Sequence, residues 1–416
     1  MKAILRDAMV YCNGGFETRS MVLDDAALSA FTGEVFPHDV PVFNNTVIFP
    51  GFCDVHVHLR EPGFSYKETI ATGTLASARG GYTAVCSMPN LNPAPDTPEH
   101  LKIQTDIIER DAVIAVYPYA TITKCQAGLE LSDMDGLAKD AIAFSDDGRG
   151  VQDEEMMRRA MEKAKSLGKM IVAHCEDNSL LFGGYIHDGE YAKAHGHRGI
   201  SSESEWVQIK RDLKLAERTG CPYHVCHIST KESVALIRKA KARGVDVTCE
   251  TAPHYLTLDE SALSENARFK MNPPLRGKDD REALIEGIID GTIDMIATDH
   301  APHGKEEKAL GLEKSPMGVV GIETALPVLW TELVMKGVIT PKRLVELLSL
   351  SPRARFGIKS DPGFTVFSMD KPYRIDTDEF LSKGRSTPYE GTEVYGRPLV
   401  TVYNGRVVYS DKALKG

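Results

Sequence analysis

The stretch Val47-Ile48-Phe49-Pro50-Gly51-Phe52-Cys53-Asp54-Val55-His56-Val57-His58-Leu59-Arg60 decides how the rest of the chain is read. An apolar run ends in two histidines separated by one residue. Side chains alternate along a strand, so His56 and His58 leave the end of one buried strand on the same side. Two imidazoles placed in this way can grip one divalent metal. Taken alone, the pair is equally compatible with buried polar histidines that hold nothing. The segments that follow decide between the two readings.

Between about residue 50 and residue 355 the chain repeats one theme. A short run rich in Val, Ile, Ala and Tyr reaches a polar terminus, and a helix-like segment follows. Strands are expected at 52–58, 83–87, 113–119, 141–145, 170–174, 223–227, 246–250 and 295–299. Helices are expected at 67–79, 98–110, 153–166, 202–218, 231–242 and 281–290. Ser202 with Glu205 three residues later has the form of a capping box. Strands alternating with helices mean a parallel sheet, and eight of them predict a closed (β/α)8 barrel of the TIM type.

The flanks read differently. Residues 1–50 and 358–416 carry short alternating runs, among them Phe364-Thr365-Val366-Phe367. Leu399-Val400-Thr401-Val402-Tyr403 enters Asn404-Gly405 and returns as Arg406-Val407-Val408-Tyr409, a hairpin signal. Both termini are expected to meet in one small β-sandwich domain beside a catalytic barrel of residues 51–357.

Composition narrows the class of partner. The 416 residues are 42% apolar, with a net charge of -10. The pI is near 5.8. No basic stretch or clustered positive face stands out, which argues against nucleic acid or a membrane surface and for small-molecule substrates. No run reaches the roughly 18 apolar residues of a membrane helix. Met1-Lys2-Ala3-Ile4 opens no signal peptide, so a cytoplasmic protein is expected. Most of the eight cysteines sit in apolar strand-like runs and none forms Cys-x-x-Cys. They read as reduced, buried residues and not as thiolate metal ligands.

The placement of candidate ligands carries the functional argument. His56 and His58 end the first strand, Asp147 follows the fourth, His174 ends the fifth, His227 the sixth and Asp299 the eighth. In a (β/α)8 barrel these strand ends converge on one face. Each residue has an ordinary reading by itself: a hydrogen-bonded histidine, a helix cap, a turn before Gly148. Six such residues at matching positions point to a metal site. Four imidazoles and two carboxylates exceed one four-coordinate zinc. They suit two metals, one on His56 and His58 and one on His174 and His227. Asp147 is the natural bridge, because its strand lies between the two pairs. Such a centre makes hydroxide available near neutral pH. Asp299 could hold the proton of that water and later deliver it to a leaving nitrogen.

The chain resembles the dihydroorotases of the amidohydrolase superfamily, type I branch. The resemblance rests on Asp54-Val55-His56-Val57-His58-Leu59-Arg60-Glu61-Pro62-Gly63, Met88-Pro89-Asn90, Ser145-Asp146-Asp147-Gly148 and Ala173-His174-Cys175-Glu176-Asp177. It continues in His227-Ile228-Ser229-Thr230, Glu250-Thr251-Ala252-Pro253-His254, Asn272-Pro273-Pro274-Leu275-Arg276 and Ala297-Thr298-Asp299-His300-Ala301-Pro302-His303. It implies zinc-dependent, reversible opening of dihydroorotate to N-carbamoyl-aspartate, a step of de novo UMP synthesis. It implies two Zn2+ ions at His56, His58, Asp147, His174, His227 and Asp299, with Asp299 as proton shuttle. Arg60, Asn90 and His303 would hold the substrate carboxylate, and a guanidinium suits that task because it can pair bidentately. Asn272 would meet the ring amide, and the segment containing Met317 and Gly318 would contact the ring through its backbone. A homodimer is expected, and association with aspartate carbamoyltransferase is possible within the family.

Many amidohydrolases bridge their metals with a carboxylated lysine ending the fourth strand. No lysine ends Ala141-Ile142-Ala143-Phe144-Ser145-Asp146-Asp147. Asp147 takes the bridging place; Asp146 is the competing residue, with its side chain expected to point the other way. The charged run from Gly304 to Lys314 reads as a solvated loop or as a mobile lid beside His303. His187, His195 and His197 read as surface residues. Two alternatives remain beside the dihydroorotase reading. One is a hydantoinase, dihydropyrimidinase or allantoinase, whose neutral rings need no Arg60. The other is a non-catalytic structural homologue, which would be expected to lack ligands that this chain retains.

Overall fold

A computed structural model describes residues 2–32 and 40–414. The remaining residues of the two terminal stretches lie outside the described residues. Seven parallel strands and one single-residue rung form a ring: Phe52–Val57, Tyr82–Ser87, Ala115–Pro118, then Phe144, Ile171–Ala173, Tyr223–Val225, Val247–Thr251 and Met295–Ile296. Phe144 bridges Ala120 on one side and Ile171 on the other. Val57 pairs with His300 and the His58 amide donates to the His300 carbonyl at 2.9 Å, which closes the ring. The fold is a (β/α)8 barrel. The expected fourth strand is thus reduced to one bridged residue. Its neighbours Ser145 and Asp147 already turn toward the site, with the Asp147 amide donating to Ser145 Oγ at 3.1 Å.

Helices cover the outside and begin where side chains satisfy their free amides. Thr69, Thr97, Asp153 and Thr230 each accept from an amide in the first turn of the helices Ile70–Arg79, Pro98–Asp111, Glu154–Ser166 and Lys231–Ala242. The box expected at Ser202 does not form; Ser202 makes no capping hydrogen bond before Glu203–Thr219. Glu205 turns inward instead and accepts from the Ser229 and Thr230 amides, at 3.0 and 3.1 Å. A buried carboxylate is held there by the loop after the sixth strand, which outweighs a cap exposed to water.

The small inner cluster includes Cys53, Val55, Ala84, Cys86, Val172, Cys226 and Ala297, while Val57, Val85 and Val225 pack outward under the helices. Strands buried on both faces explain the near-continuous apolar runs. The first strand breaks alternation near its end. Its register against Tyr82–Ser87 shifts between Asp54 and Val57, a bulge. Cys53 and Val55 thus join the inner cluster, and His56 and His58 still share one side.

Segments from both ends build one curled eight-stranded sheet, the β-sandwich unit beside the barrel. Phe364–Ser368 lies antiparallel between Thr46–Pro50 and Arg397–Tyr403. Lys2–Cys12 runs parallel to Thr46–Pro50 and antiparallel to Gly15–Asp24. Asn404 and Gly405 adopt φ of 50° and 68°, as a type I′ hairpin requires. Phe49 joins sheet to barrel, with ring centroids 5.5 Å from Phe52 and 6.1 Å from Phe367. Among the described residues no helix is long and apolar enough to cross a membrane. All eight cysteines are unpaired; six are buried, Cys12 is half-buried and Cys125 is exposed.

Candidate metal centre and active site

The six candidate ligands meet at the C-terminal mouth of the barrel, and all six are buried. Asp147 sits in the middle. Its Oδ1 lies 3.4 Å from His56 Nε2, 3.6 Å from His227 Nε2 and 3.7 Å from His174 Nδ1. Its Oδ2 lies 3.5 Å from His58 Nε2. Asp299 Oδ1 lies 3.0 Å from His58 Nε2 and 3.4 Å from His56 Nε2. His174 Nδ1 faces His227 Nε2 at 3.0 Å.

Strain accompanies this convergence. His227 and Asp299 adopt φ of 30° and 46°, and Arg60 adopts 60°. Non-glycine residues in that region cost about 1–3 kcal/mol each and persist where the surroundings hold them. Two arrangements do the holding. Glu250 Oε1 accepts from His56 Nδ1 at 2.7 Å, and its Oε2 accepts from His224 Nε2 at 3.0 Å. Asp54 accepts from the His56 amide at 3.0 Å and from Thr298 Oγ1 at 2.6 Å, tying the first strand to the eighth. Asp147 is fixed through its backbone: Asn90 Nδ2 and Gln126 Nε2 both donate to its carbonyl, at 2.6 and 3.1 Å. Asp146 points away, accepting from the Ile122 amide at 2.8 Å and from Thr123.

Charge in the cluster is balanced internally. Burial alone would lower His56, but the Asp147 and Asp299 carboxylates outweigh it and raise the imidazole well above its ordinary value. Burial would likewise raise Asp147 and Asp299, yet the surrounding imidazoles hold both below the usual carboxylate range. Burial and then Arg60 lower His58. The donor set fits a metal on a further ground. His56 Nε2, His58 Nδ1, His174 Nε2 and Asp147 Oδ1 are buried without a hydrogen-bond partner, which is costly unless something else binds there. Imidazole nitrogens and carboxylate oxygens at such spacing match the preferences of zinc and related divalent ions. The groups His56–His58–Asp299 and His56–Asp147–His227 each bring their ligand atoms within 4.8 Å of one another.

A cavity of about 220 Å³ opens in front of the cluster. Arg60, Asn90, Asn272, His303, Met317 and Gly318 line it together with five of the six ligands, and His56 lies beneath. Arg60 Nε donates to the Pro302 carbonyl at 3.3 Å, and among the described residues no carboxylate forms an ion pair with its guanidinium. His303 donates from Nε2 to the Met317 carbonyl at 2.8 Å. Burial, then Arg60 and Lys67, push its ring down to about 2, so it is neutral. Asn272 Nδ2 donates to Glu176 Oε1 at 3.0 Å. Gly318 has φ of 130°, and a Cβ there would stand 2.8 Å from the Ala301 carbonyl oxygen. Only glycine fits that close approach.

The charged run beside His303 folds into two short turns, Lys305–Lys308 and Gly311–Lys314, that rest on the rim. His195 is exposed as expected. His187 and His197 are half-buried, His187 beside Arg276 at 3.4 Å and His197 bonded to Tyr185 at 2.7 Å. Glu250, Asp54 and Gln126 carry support that the reading of the sequence did not assign. Glu250 had a usable signal, since it too ends a barrel strand; Gln126 had none, because it reaches Asp147 through the left-handed turn at Cys125 and Gln126.

Imidazole and carboxylate groups that could hold a metal, gathered from the strand ends of a parallel barrel, are the arrangement of the amidohydrolase class. Solved structures bear out the fold. An L-hydantoinase (dihydropyrimidinase) from Arthrobacter aurescens superposes with a TM-score of 0.82 over 98% of this chain and 96% of that one, at 23% identity. A dihydropyrimidinase from Brevibacillus agri gives 0.80 over 99% and 96%, at 22% identity. The sequence is closer to other proteins. A family profile described as Dihydro-orotase-like matches residues 45–233. A dihydroorotase of Staphylococcus aureus is 47% identical over 418 residues, 98% of this chain and 99% of that one. One of Bacillus cereus is 49% identical over 379 residues, 89% of each. The chain belongs to the dihydroorotase family of cyclic-amide hydrolases.

Proposed function

We propose that this enzyme hydrolyses the ring amide of (S)-dihydroorotate to N-carbamoyl-L-aspartate, reversibly, in pyrimidine synthesis. One observation carries the reading: a guanidinium without a protein carboxylate, Arg60, stands on the wall of the cavity that holds the ligand cluster. A ring bearing a carboxylate suits that wall, whereas hydantoin or dihydrouracil would leave Arg60 unpaired at a cost. The relatives named dihydroorotase support the same substrate.

His56, His58, Asp147, His174, His227 and Asp299 would hold two zinc ions, with Asp147 between them. Zinc supplies a Lewis acid for the ring carbonyl and an acidified water. Arg60, Asn90 and His303 orient the substrate carboxylate, Asn272 meets the ring amide, and the Met317–Gly318 backbone lies along the ring. Asp299 takes a proton as the water oxygen adds to the carbonyl carbon. It delivers that proton to the ring nitrogen as the C–N bond breaks. The reverse reaction uses the same groups in the opposite order. We assign residues 51–357 to the catalytic barrel and 1–50 with 358–416 to the accessory domain. A homodimer and a cytoplasmic location are part of the same proposal, and association with aspartate carbamoyltransferase rests on the family resemblance.

The test is turnover of dihydroorotate by the zinc-loaded protein beside hydantoin and dihydrouracil, with a chelated sample as control. Chelator-sensitive opening of dihydroorotate alone is expected. Activity confined to the neutral rings would overturn the substrate and keep the metal chemistry.

A further inference from the structure

Lys308 lies in the rim loop, outside every motif quoted for the site. Its Nζ donates to three backbone carbonyls: Lys270 at 3.2 Å, Pro316 at 3.0 Å and Gly318 at 2.8 Å. An ammonium has three N–H donors, and these carbonyls use all of them. A lysine on a solvated loop would keep its head in water. This one is drawn into the protein, where burial and the neighbouring Lys270 ammonium push it down to about 7, so the three-donor ammonium is the prevailing form below that pH.

Of the three acceptors, Gly318 lines the cavity, and Pro316 and Lys270 stand one and two residues before Met317 and Asn272, which also line it. The Gly318 amide donates to the Lys270 carbonyl at 3.0 Å, so one carbonyl receives both that amide and Lys308. The Met317 carbonyl receives His303. The stitch is reciprocal, because Lys270 Nζ donates back to the Glu313 carbonyl of the rim loop at 2.6 Å. The rest of the loop is held by the buried Leu312 side chain and, nearer solvent, by the ion pairs Lys67–Glu307 and Arg198–Glu313, both at 3.0 Å. Pairs of that kind contribute at most about 1 kcal/mol. Charge-assisted bonds to carbonyls contribute more.

We propose that Lys308 is a positioning residue: its ammonium locks the rim loop onto residues 316–318 and so fixes the backbone wall that receives the substrate ring. The proposal rests on the dihydroorotase reading for its kinetic consequence and on geometry alone for its structural one. Lys308 touches no metal ligand, so its loss acts on ring binding more than on the chemical step.

The experiment compares the parent, K308M and K308R as zinc-loaded full chains. Steady-state kinetics with dihydroorotate run beside zinc content and amide hydrogen exchange over residues 300–320. In K308M we expect KM to rise about tenfold or more, as loss of one or more charge-assisted bonds requires. We expect kcat to fall far less, zinc content to hold and exchange at 304–318 to accelerate. K308R, which keeps the charge and several donors, should recover most of KM. An unchanged KM in K308M, or equal losses in kcat, KM and zinc, would overturn the proposal. If the parent does not open dihydroorotate, the substrate reading falls; exchange then decides the lock alone, and unaltered exchange in K308M refutes it.

Discussion

Replacing Glu250 with glutamine tests whether the cluster is a metal centre supported from behind. Glu250 is fully buried, and its two oxygens accept from His56 Nδ1 and His224 Nε2, at 2.7 and 3.0 Å. Burial would raise this carboxyl, but the two histidines hold it down to about 2. It therefore remains charged under all working conditions. With a metal bound, His56 would keep its proton on Nδ1 toward Glu250 and offer the Nε2 lone pair on the side of Asp147 and Asp299. In E250Q one acceptor oxygen becomes an NH2 group. His56 and His224 cannot both donate to the amide that remains. Either His56 changes tautomer, placing a proton on the nitrogen that faces the site, or the new NH2 donates to His224, whose Nδ1 then carries the proton and donates to Thr248 Oγ1 at 2.8 Å.

The first outcome removes a lone pair from the site, and the second replaces the charge-assisted bond to His56 by a neutral one of about half its strength. Loss of such a partner lowers metal affinity by about 10–100-fold, or about 1.4–2.8 kcal/mol. The assay is competition for Zn2+ between the stripped protein and a chromophoric chelator, with near-UV circular dichroism to confirm the fold. E250Q is expected to bind at least one ion about tenfold more weakly while its fold survives. Zinc affinity within twofold of the parent, with Glu250 neutralised, would falsify the support role and with it the tautomer assigned to His56.

Three further outcomes follow from the same geometry. Arg60→Met should raise KM for dihydroorotate by about 10–100-fold, the worth of a charge-assisted contact, and leave neutral rings unaffected; parallel kinetics on dihydrouracil check the contrast, and an unchanged KM sinks the carboxylate assignment. Asp299→Ala should abolish turnover while circular dichroism shows an intact barrel; retained turnover would remove Asp299 from proton transfer. His303 is held neutral to about 2, whereas an unfolded histidine titrates near about 6.5. Between those values the unfolded chain binds the extra proton, so stability is complete above the unfolded value and is lost as pH falls. Urea unfolding of H303N should show a shallower decline from pH 7 to pH 4 than the parent, and identical slopes would refute the buried neutral ring.

The barrel was legible because each strand pairs an apolar run with a chemically distinctive end. His56, His58, Asp147, His174, His227 and Asp299 announce themselves by type and position, and the structure brings all six together. Other features depend on contacts far apart in the chain. The fourth strand reads as five residues, yet only Phe144 pairs, because Ser145 onward already bends into the site. Ser202 and Glu205 match a local capping pattern, but Glu205 finds better partners in Ser229 and Thr230, which no window around residue 202 contains. Asn90 lines the cavity as its substrate reading requires, and one N–H of its Nδ2 also fastens the Asp147 carbonyl, a contact 57 residues away that no local pattern shows. Local patterns reveal which groups a strand end can offer. They do not reveal which distant backbone will claim those groups first.

Chemistry and selectivity are built from separate parts of this molecule. The ligand cluster and its supports, Glu250 and Asp54, stand on barrel strands locked by the closure from Val57 to His300. The cavity wall that would meet the rest of the ring under the proposed function comes from loops: Arg60, the turn at Asn272, His303 and the segment Met317–Gly318. Loop residues change more freely than the strands that carry them. Hydantoinase-type barrels superpose on this chain with TM-scores near 0.8 at only 21–24% identity. The scaffold is therefore shared across wide sequence divergence, and the loops on its rim are free to differ. Under the proposed function a change of substrate would begin at Arg60 and the wall behind Met317, with the six strand-end residues left in place.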